Sequence, residues 1–186
     1  MDTKQANTGP DLLLERCRNK EPKAYKELYE LYAKAMFSIS MRIVNNRDEA
    51  EDILQESFLK AFKDMSRFPN RAAFGSWIKR VVINLSLDVV RKQKLNFLSL
   101  DDADHIENDE SAEEILYDAA MISECIQELP QGYRVIITLF LIEEYSHKEI
   151  AEMLKISEST SKSQYNRAKK KLISLVQQKN PVYEQH

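Results

Sequence analysis

Apolar residues recur at three- and four-residue intervals along most of the chain, and strand-like alternation is scarce, so the pattern predicts an all-α protein. A short helix is expected near Asp11–Arg18. A second begins at Pro22, a residue suited to a first helical turn, and carries Tyr25, Leu28, Tyr29, Tyr32, Met36, Ile39 and Ile43 on one face. The third follows "NNRDE", with Asn46 as N-cap and acids in the first turn, and its apolar set is Ala50, Ile53, Leu54, Phe58, Ala61, Phe62 and Met65. Pro69 and Asn70 break the chain in "SRFPNRAAF". A fourth helix should run from about Phe74 to Lys94, with Trp77, Ile78, Val81, Val82, Leu85 and Val89 inward.

The period then fails. "LSLDDADHIENDESAEEI" has no sustained apolar stripe and repels itself, so it reads as an extended, flexible, acidic linker. Its last residues offer a capping box, Ser111 with Glu114, to start a helix near Ala112–Leu129. After a stop at "LPQG" comes an apolar helix over Tyr133–Ile142. Ser146 and Glu149 form a second capping box ahead of Ile150, Ala151 and Leu154. The last helix starts at Ser157, with positions 161, 165, 168 and 172 inward. Two small helical domains are expected, 1–96 and 112–186, joined by a linker over 97–111.

Charge sharpens this division. The net charge is −3, which argues weakly against nucleic acid, but its distribution does not. Residues 1–96 sum to +5, residues 97–120 to −9 and residues 121–186 to +1. The acidity sits in one short segment between two neutral-to-basic blocks. Cys17 and Cys125 have neither metal-ligand spacing nor companions for a disulfide framework, and read as reduced thiols. The first residues do not form a signal peptide, and "YRVIITLFLI" is too short to span a bilayer. A cytoplasmic protein without membrane insertion is expected.

Three surfaces carry candidate chemistry. The last two helices, one short and one long across a three- or four-residue turn, have the form of a helix-turn-helix. Outward residues in the first half of the second helix are Ser159, Thr160, Lys162, Ser163, Asn166 and Arg167, and their side chains can reach phosphates or base edges. Lys169, Lys170 and Lys171 would follow along phosphates. The competing reading is a solvated helix whose lysines suit its C-terminus. The third helix instead exposes Asp52, Gln55, Glu56, Leu59 and Lys63, an acidic face that would repel DNA and suits a protein with a basic groove. "DEAED" could hold a divalent cation, but no partner His or second carboxylate motif accompanies it, so neither metal nor cofactor is expected. Phe68, Phe74 and Trp77, beside Arg71, Lys79, Arg80, Arg91 and Lys92, describe a platform for single-stranded nucleic acid; alternatively the three aromatics are core.

"DEAEDILQESFLKAFKDMSRF", "FGSWIKRVVINLSLDVVRK" and "LPQGYRVIITLFLIEEYSHKEIAEMLKISESTSKSQYNRAKKKL" together resemble the alternative sigma factors of the extracytoplasmic-function (ECF) group. These bacterial subunits give RNA polymerase its promoter specificity. The resemblance runs from about Leu12 to Leu175 and keeps the order of segments. It implies that Asp52, Gln55 and Glu56, with Leu59 beside them, dock on the clamp helices of the polymerase's large subunit. Phe68 to Arg71, Asn70 included, would capture an unpaired base of the −10 element. Lys79, Arg80 and Asn84 would touch the melting strand. Lys162, Ser163, Asn166 and Arg167 would read the −35 element; Ser159, Thr160 and Lys170 join that set from the outward face and the lysine run of the last helix. An anti-sigma factor is an implied partner besides core RNA polymerase and promoter DNA.

The chain departs from the family pattern at three places. Lys155 stands where Gly is common in the turn, and Ser161 where an apolar β-branched residue is usual. Gln164 replaces a frequent Arg, and glutamine can pair with adenine where arginine prefers guanine, so Gln164 joins the −35 set. Two competing functions remain in view: a stand-alone helix-turn-helix regulator, which needs only the C-terminal block, and a metal-dependent nuclease. Against the nuclease, His105, His147 and His186 are scattered, and three glycines make no phosphate loop. No enzymatic activity is expected.

Overall fold

The structure, a computed structural model, describes residues 11–92 and 119–179. The described residues contain helices and turns and no strand. Contacts divide the chain into two compact units, Met1–Asp88 and Val89–His186. The acidic segment, and with it the expected capping box at Ser111 and Glu114, lies outside the described residues.

The first unit is built on α1 (Leu12–Arg18), α2 (Pro22–Val44), α3 (Arg47–Lys63), a 3₁₀ turn (Met65–Arg67) and α4 (Arg71–Lys92), of which residues 89–92 fall past the division. Pro22 opens α2, where its missing N–H costs nothing. Two adjacent asparagines make the turn between α2 and α3. Asn45 ends α2 in the left-handed region at φ 54°, which asparagine tolerates better than most residues. Asn46 is extended, and its side chain accepts the Glu49 N–H at 3.1 Å. The third helix stops at Lys63, two residues before the expected Met65, which is buried in the 3₁₀ turn instead. Asn70 Oδ1 accepts the Ala73 N–H at 2.9 Å, and α4 therefore starts three residues earlier than the apolar period indicated.

Leu28, Ile43, Phe74, Ile78, Ile83 and Leu87 are wholly buried. Each contributes about 1.5–3 kcal/mol by leaving water, which outweighs exposed ion pairs worth at most about 1 kcal/mol. One polar link crosses this core: Ser40 and Ser86 hydroxyls lie 3.0 Å apart between α2 and α4, so each buried hydroxyl has a partner.

The second unit comprises α5 (Ala119–Glu128), α6 (Gln131–Ile137), α7 (His147–Leu154) and α8 (Glu158–Lys179). The expected apolar helix over 133–142 is not uniform. It begins at Gln131 and widens into a π-helical turn over Thr138–Ile142. Within it Arg134 is 5% exposed and donates to the Leu129 carbonyl at 2.9 Å. A buried guanidinium thus satisfies a carbonyl just past the end of α5, where a cation is favoured. Burial lowers its pKa from the usual guanidinium range. Ile126, Leu129, Ile137 and Ala168 form the centre of this core, with Tyr165, Leu172 and Leu175 packed around it.

Candidate protein and nucleic-acid interfaces

Helix α3 turns one face outward, away from its buried stripe. Asp52, Gln55, Glu56 and Leu59 are all exposed, Leu59 at 56%. Their ion pairs are short but solvated: Glu56 meets Lys60 at 2.6 Å and Glu51 meets Arg47 at 2.7 Å. Beside this face runs an open groove of about 680 Å³ between α2 and α3. Gln55, Leu59, Tyr29, Phe37, Phe58 and Phe62 are among the residues lining it. The groove was not foreseen. Its signal is Tyr29, Ala33 and Phe37, spaced four and four along α2, of which the apolar period places Tyr29 on the core face. That tyrosine is 38% exposed and leans on Phe58, with ring centroids 4.7 Å apart.

The loop before α4 is more constrained than its sequence suggested. Phe68 precedes Pro69, which disfavours helical backbone there, and it is extended at φ −100°, ψ 107°. Its side chain is 3% exposed and packs against Phe74 and Trp77, with centroids 5.1 and 5.2 Å away. The expectation that Phe68 offers a free face to a base is therefore corrected: the ring belongs to the core. Trp77 keeps a partly open surface, with the Arg67 guanidinium 5.5 Å from its ring.

Asn70 and Arg71 are exposed, but both are engaged. Asn70 caps α4. Arg71 gives its backbone N–H and its Nε–H to the same oxygen of Asp11, at 3.0 and 2.7 Å. Its carbonyl accepts the Tyr32 hydroxyl at 3.0 Å. Burial pushes the Tyr32 phenol up, so it remains a donor. Arg18 donates to the Phe68 carbonyl. No sequence signal connected Asp11, Arg18 or Tyr32 to this loop. Further along α4, Arg80 and Asn84 lie exposed one turn apart on a stripe that ends in Asp88, while Lys79 is half-buried on a neighbouring face.

In the second unit, α7 and α8 meet across a three-residue turn. The capping box at Ser146 and Glu149 is complete, with both reciprocal hydrogen bonds formed. Lys155 ends α7 in the left-handed region at φ 57°, ψ 44°, as the missing glycine implied. His147 stacks on Phe140 with centroids 4.3 Å apart, and its Nδ1 lies 3.0 Å from the Ser161 hydroxyl. This ties the start of α7 to α8. Burial first, and Lys162 second, hold the imidazole below its ordinary pKa.

Ser159, Lys162, Asn166 and Lys170 are exposed on α8, while Thr160, Ser163 and Arg167 are half-buried. Lys162 pairs with Glu158 at 2.7 Å, and that contact lowers the Glu158 pKa. Gln164 is 3% exposed. Its placement in the −35 set is corrected: positions 161, 164 and 168, spaced three and four, share the inner face. The apolar period places Tyr165 inward, and the buried stripe is broad enough to take both.

The model for Sigma-70 region 2 matches residues 28–95 and that for Sigma-70 region 4 matches residues 119–172. The chain is 31% identical over 179 residues to the ECF RNA polymerase sigma-E factor of Salmonella typhimurium LT2, covering 89% of this chain and 93% of that protein. It is 28% identical over 162 residues to the ECF RNA polymerase sigma factor SigW of Bacillus subtilis, covering 80% and 87%. Among solved structures, the sigma factor RpoE of Bartonella quintana, crystallised with the anti-sigma factor NepR, superposes with a TM-score of 0.51 at 21% identity. That likeness covers 85% of this chain and 99% of RpoE.

Proposed function

The chain belongs to the ECF sigma factors, subunits that direct bacterial RNA polymerase to promoters, and from that premise we propose how its surfaces divide the work of initiation. Helix α3 docks on core polymerase through Asp52, Gln55, Glu56 and Leu59. The loop at Asn70 and Arg71, with Arg80 and Asn84 of α4, receives the −10 element as it melts. The exposed side of α8, from Ser159 to Lys170, reads the −35 element. The observation that carries this division is the contrast between two exposed helix faces. That of α3 is acidic and flanks an apolar-lined groove, whereas that of α8 carries Lys162, Asn166, Lys169 and Lys170. An acidic face repels phosphate and suits a basic protein surface, whereas a basic helix with polar side chains suits a major groove.

The C-terminal block alone would suit a stand-alone helix-turn-helix regulator, but region 2 is matched as well, and such a regulator has no use for it. The protein acts without a catalytic step of its own, strand separation being driven by base capture and polymerase contacts. It works in the cytoplasm, where the polymerase is. No described helix is long and apolar enough to cross a membrane, and no group of three or more potential metal ligands occurs among the described residues. An anti-sigma protein is the expected regulator, one that would cover the polymerase-facing surface. The direct test is run-off transcription over genomic DNA with purified core enzyme. Discrete start sites that require this chain are expected; transcription that is the same with and without it would overturn the reading.

A further inference from the structure

Asp11 occupies the N-cap position of α1, yet its side chain makes no capping hydrogen bond there. An aspartate in that position ordinarily accepts an N–H of its own helix. Instead its carboxylate reaches across 60 residues of sequence and takes both the N–H and the Nε–H of Arg71. The carboxylate is 12% exposed, the arginine side chain 53%. Two further hydrogen bonds reach the same segment, one from α1 and one from α2. Arg18, on α1, donates to the Phe68 carbonyl. Tyr32, on α2, donates to the Arg71 carbonyl. Gly75, one turn into α4, clears the space for that tyrosine: a Cβ there would lie 3.0 Å from the Tyr32 ring. Helix α1 can act as a fixed base, because Leu14 and Cys17 are wholly buried and Arg16 is bound to Glu21 and Glu27 of the following chain at 2.9 and 2.8 Å.

We propose that Asp11 and Tyr32, with Arg18, are positioning residues for promoter melting, which brace the 68–71 loop in the shape that accepts an unpaired base. This rests on the reading of Asn70 and Arg71 as the −10 contact. The brace acts on both ends of the loop backbone, through the carbonyl of Phe68 and the N–H and carbonyl of Arg71. It leaves the loop's outer surface open. A loop fixed before the base arrives loses less freedom on binding, which is the general source of gain from preorganisation.

The test uses holoenzyme assembled from core polymerase and the full chain. The probe is a single-stranded non-template −10 oligonucleotide taken from a promoter mapped by run-off. Asp11→Ala and Tyr32→Phe should each weaken oligonucleotide binding by roughly three- to tenfold, the worth of one or two hydrogen bonds. Both should also reduce permanganate reactivity in the promoter bubble. Affinity for core polymerase should stay unchanged, and the thermal midpoint of the free chain should fall by no more than the loss of one or two hydrogen bonds accounts for, whereas a merely structural role would lower core affinity and oligonucleotide binding together. Asp11→Asn keeps an acceptor for the Arg71 N–H and should recover most of the binding. Tyr32→Phe keeps the ring and so separates the brace from any folding defect in Asp11→Ala. Oligonucleotide binding by both variants as tight as the parent's, or tighter, would overturn the brace, provided that Arg71→Ala or Asn70→Ala weakens it. If neither of those loop variants weakens it, the −10 assignment itself falls.

Discussion

At the scale of single residues, Lys155 and His147 each carry a cost that a substitution can expose. Lys155 holds φ 57° at the end of α7, where a Cβ crowds the following carbonyl at a cost of about 1–2 kcal/mol. Glycine removes that cost but adds freedom to the unfolded chain, worth about 0.4–1 kcal/mol. Lys155→Gly should therefore stabilise the second unit by a net amount of about 0.5 kcal/mol, seen as a rise in its thermal midpoint; a fall would show that the lysine makes a stabilising contact. His147 behaves differently because its penalty depends on pH. Its folded pKa lies below the ordinary value through burial and Lys162. Between the folded and unfolded values, the unfolded chain binds more protons, so stability rises with pH there. The contribution is complete above about pH 6.5, the unfolded value, and is lost as pH falls through the folded value. Denaturant unfolding at a series of pH values should show this slope, and His147→Phe, which preserves the stack on Phe140, should flatten it.

At the scale of elements, much was legible because local chemistry repeats the global answer. Asn46 and Ser146 announced the starts of α3 and α7, and both side chains form the expected caps. The π-helical turn after Ile137 left no trace in the apolar period, because it changes the hydrogen-bond register while every residue concerned but Thr138 is apolar. The brace on the 68–71 loop was illegible for another reason: its partners lie 60 and 39 residues from Arg71, and only the folded chain brings them together. Gln164 misled because a polar residue reads as outward unless its position on the helix is weighed first. Its burial changes what substitution there should do. Gln164→Arg would put a guanidinium among Ser161, Ala168 and their neighbours, at a cost of at least about 2 kcal/mol if it finds no partner. Loss of thermal stability is expected, in place of a shifted −35 preference; an unchanged midpoint with an altered selected sequence would restore Gln164 to the reading set. The exposed side of α8 supplies the contrast. Arg167→Ala should reduce use of the cognate −35 element more than of scrambled ones, by about 1–3 kcal/mol if the contact is bidentate. Lys170→Ala should weaken all sequences alike and flatten the salt dependence by about one unit of slope. Selection from randomised −35 sequences, repeated at several salt concentrations, would check both.

At the scale of the whole molecule, charge is sorted by segment. A chain with net charge −3 is a poor general ligand for DNA, and a free sigma factor that bound DNA everywhere would be titrated away from the polymerase. The acidic face of α3 offers a way to couple the two events, since it favours a basic protein surface and disfavours phosphate. The critical variant is therefore the double charge reversal Asp52→Lys with Glu56→Lys. Both residues are exposed, so neither supports the core. The reversal removes the Glu56–Lys60 pair, worth about 0.3–0.5 kcal/mol, and places like charges one turn apart at a similar cost. The stability loss should thus stay within about 1 kcal/mol, and circular dichroism should show the parent's helix content. Core affinity should fall much further, by tenfold or more, because like charges facing each other across an interface cost several kcal/mol. The same reversal should strengthen non-specific DNA binding by the free protein, which no folding defect would do. A double variant that assembles with core polymerase as tightly as the parent would remove α3 from the docking surface. The apolar-lined groove beside it would then have to hold the polymerase without help from charge, and raising the salt concentration would leave the parent's assembly unaffected.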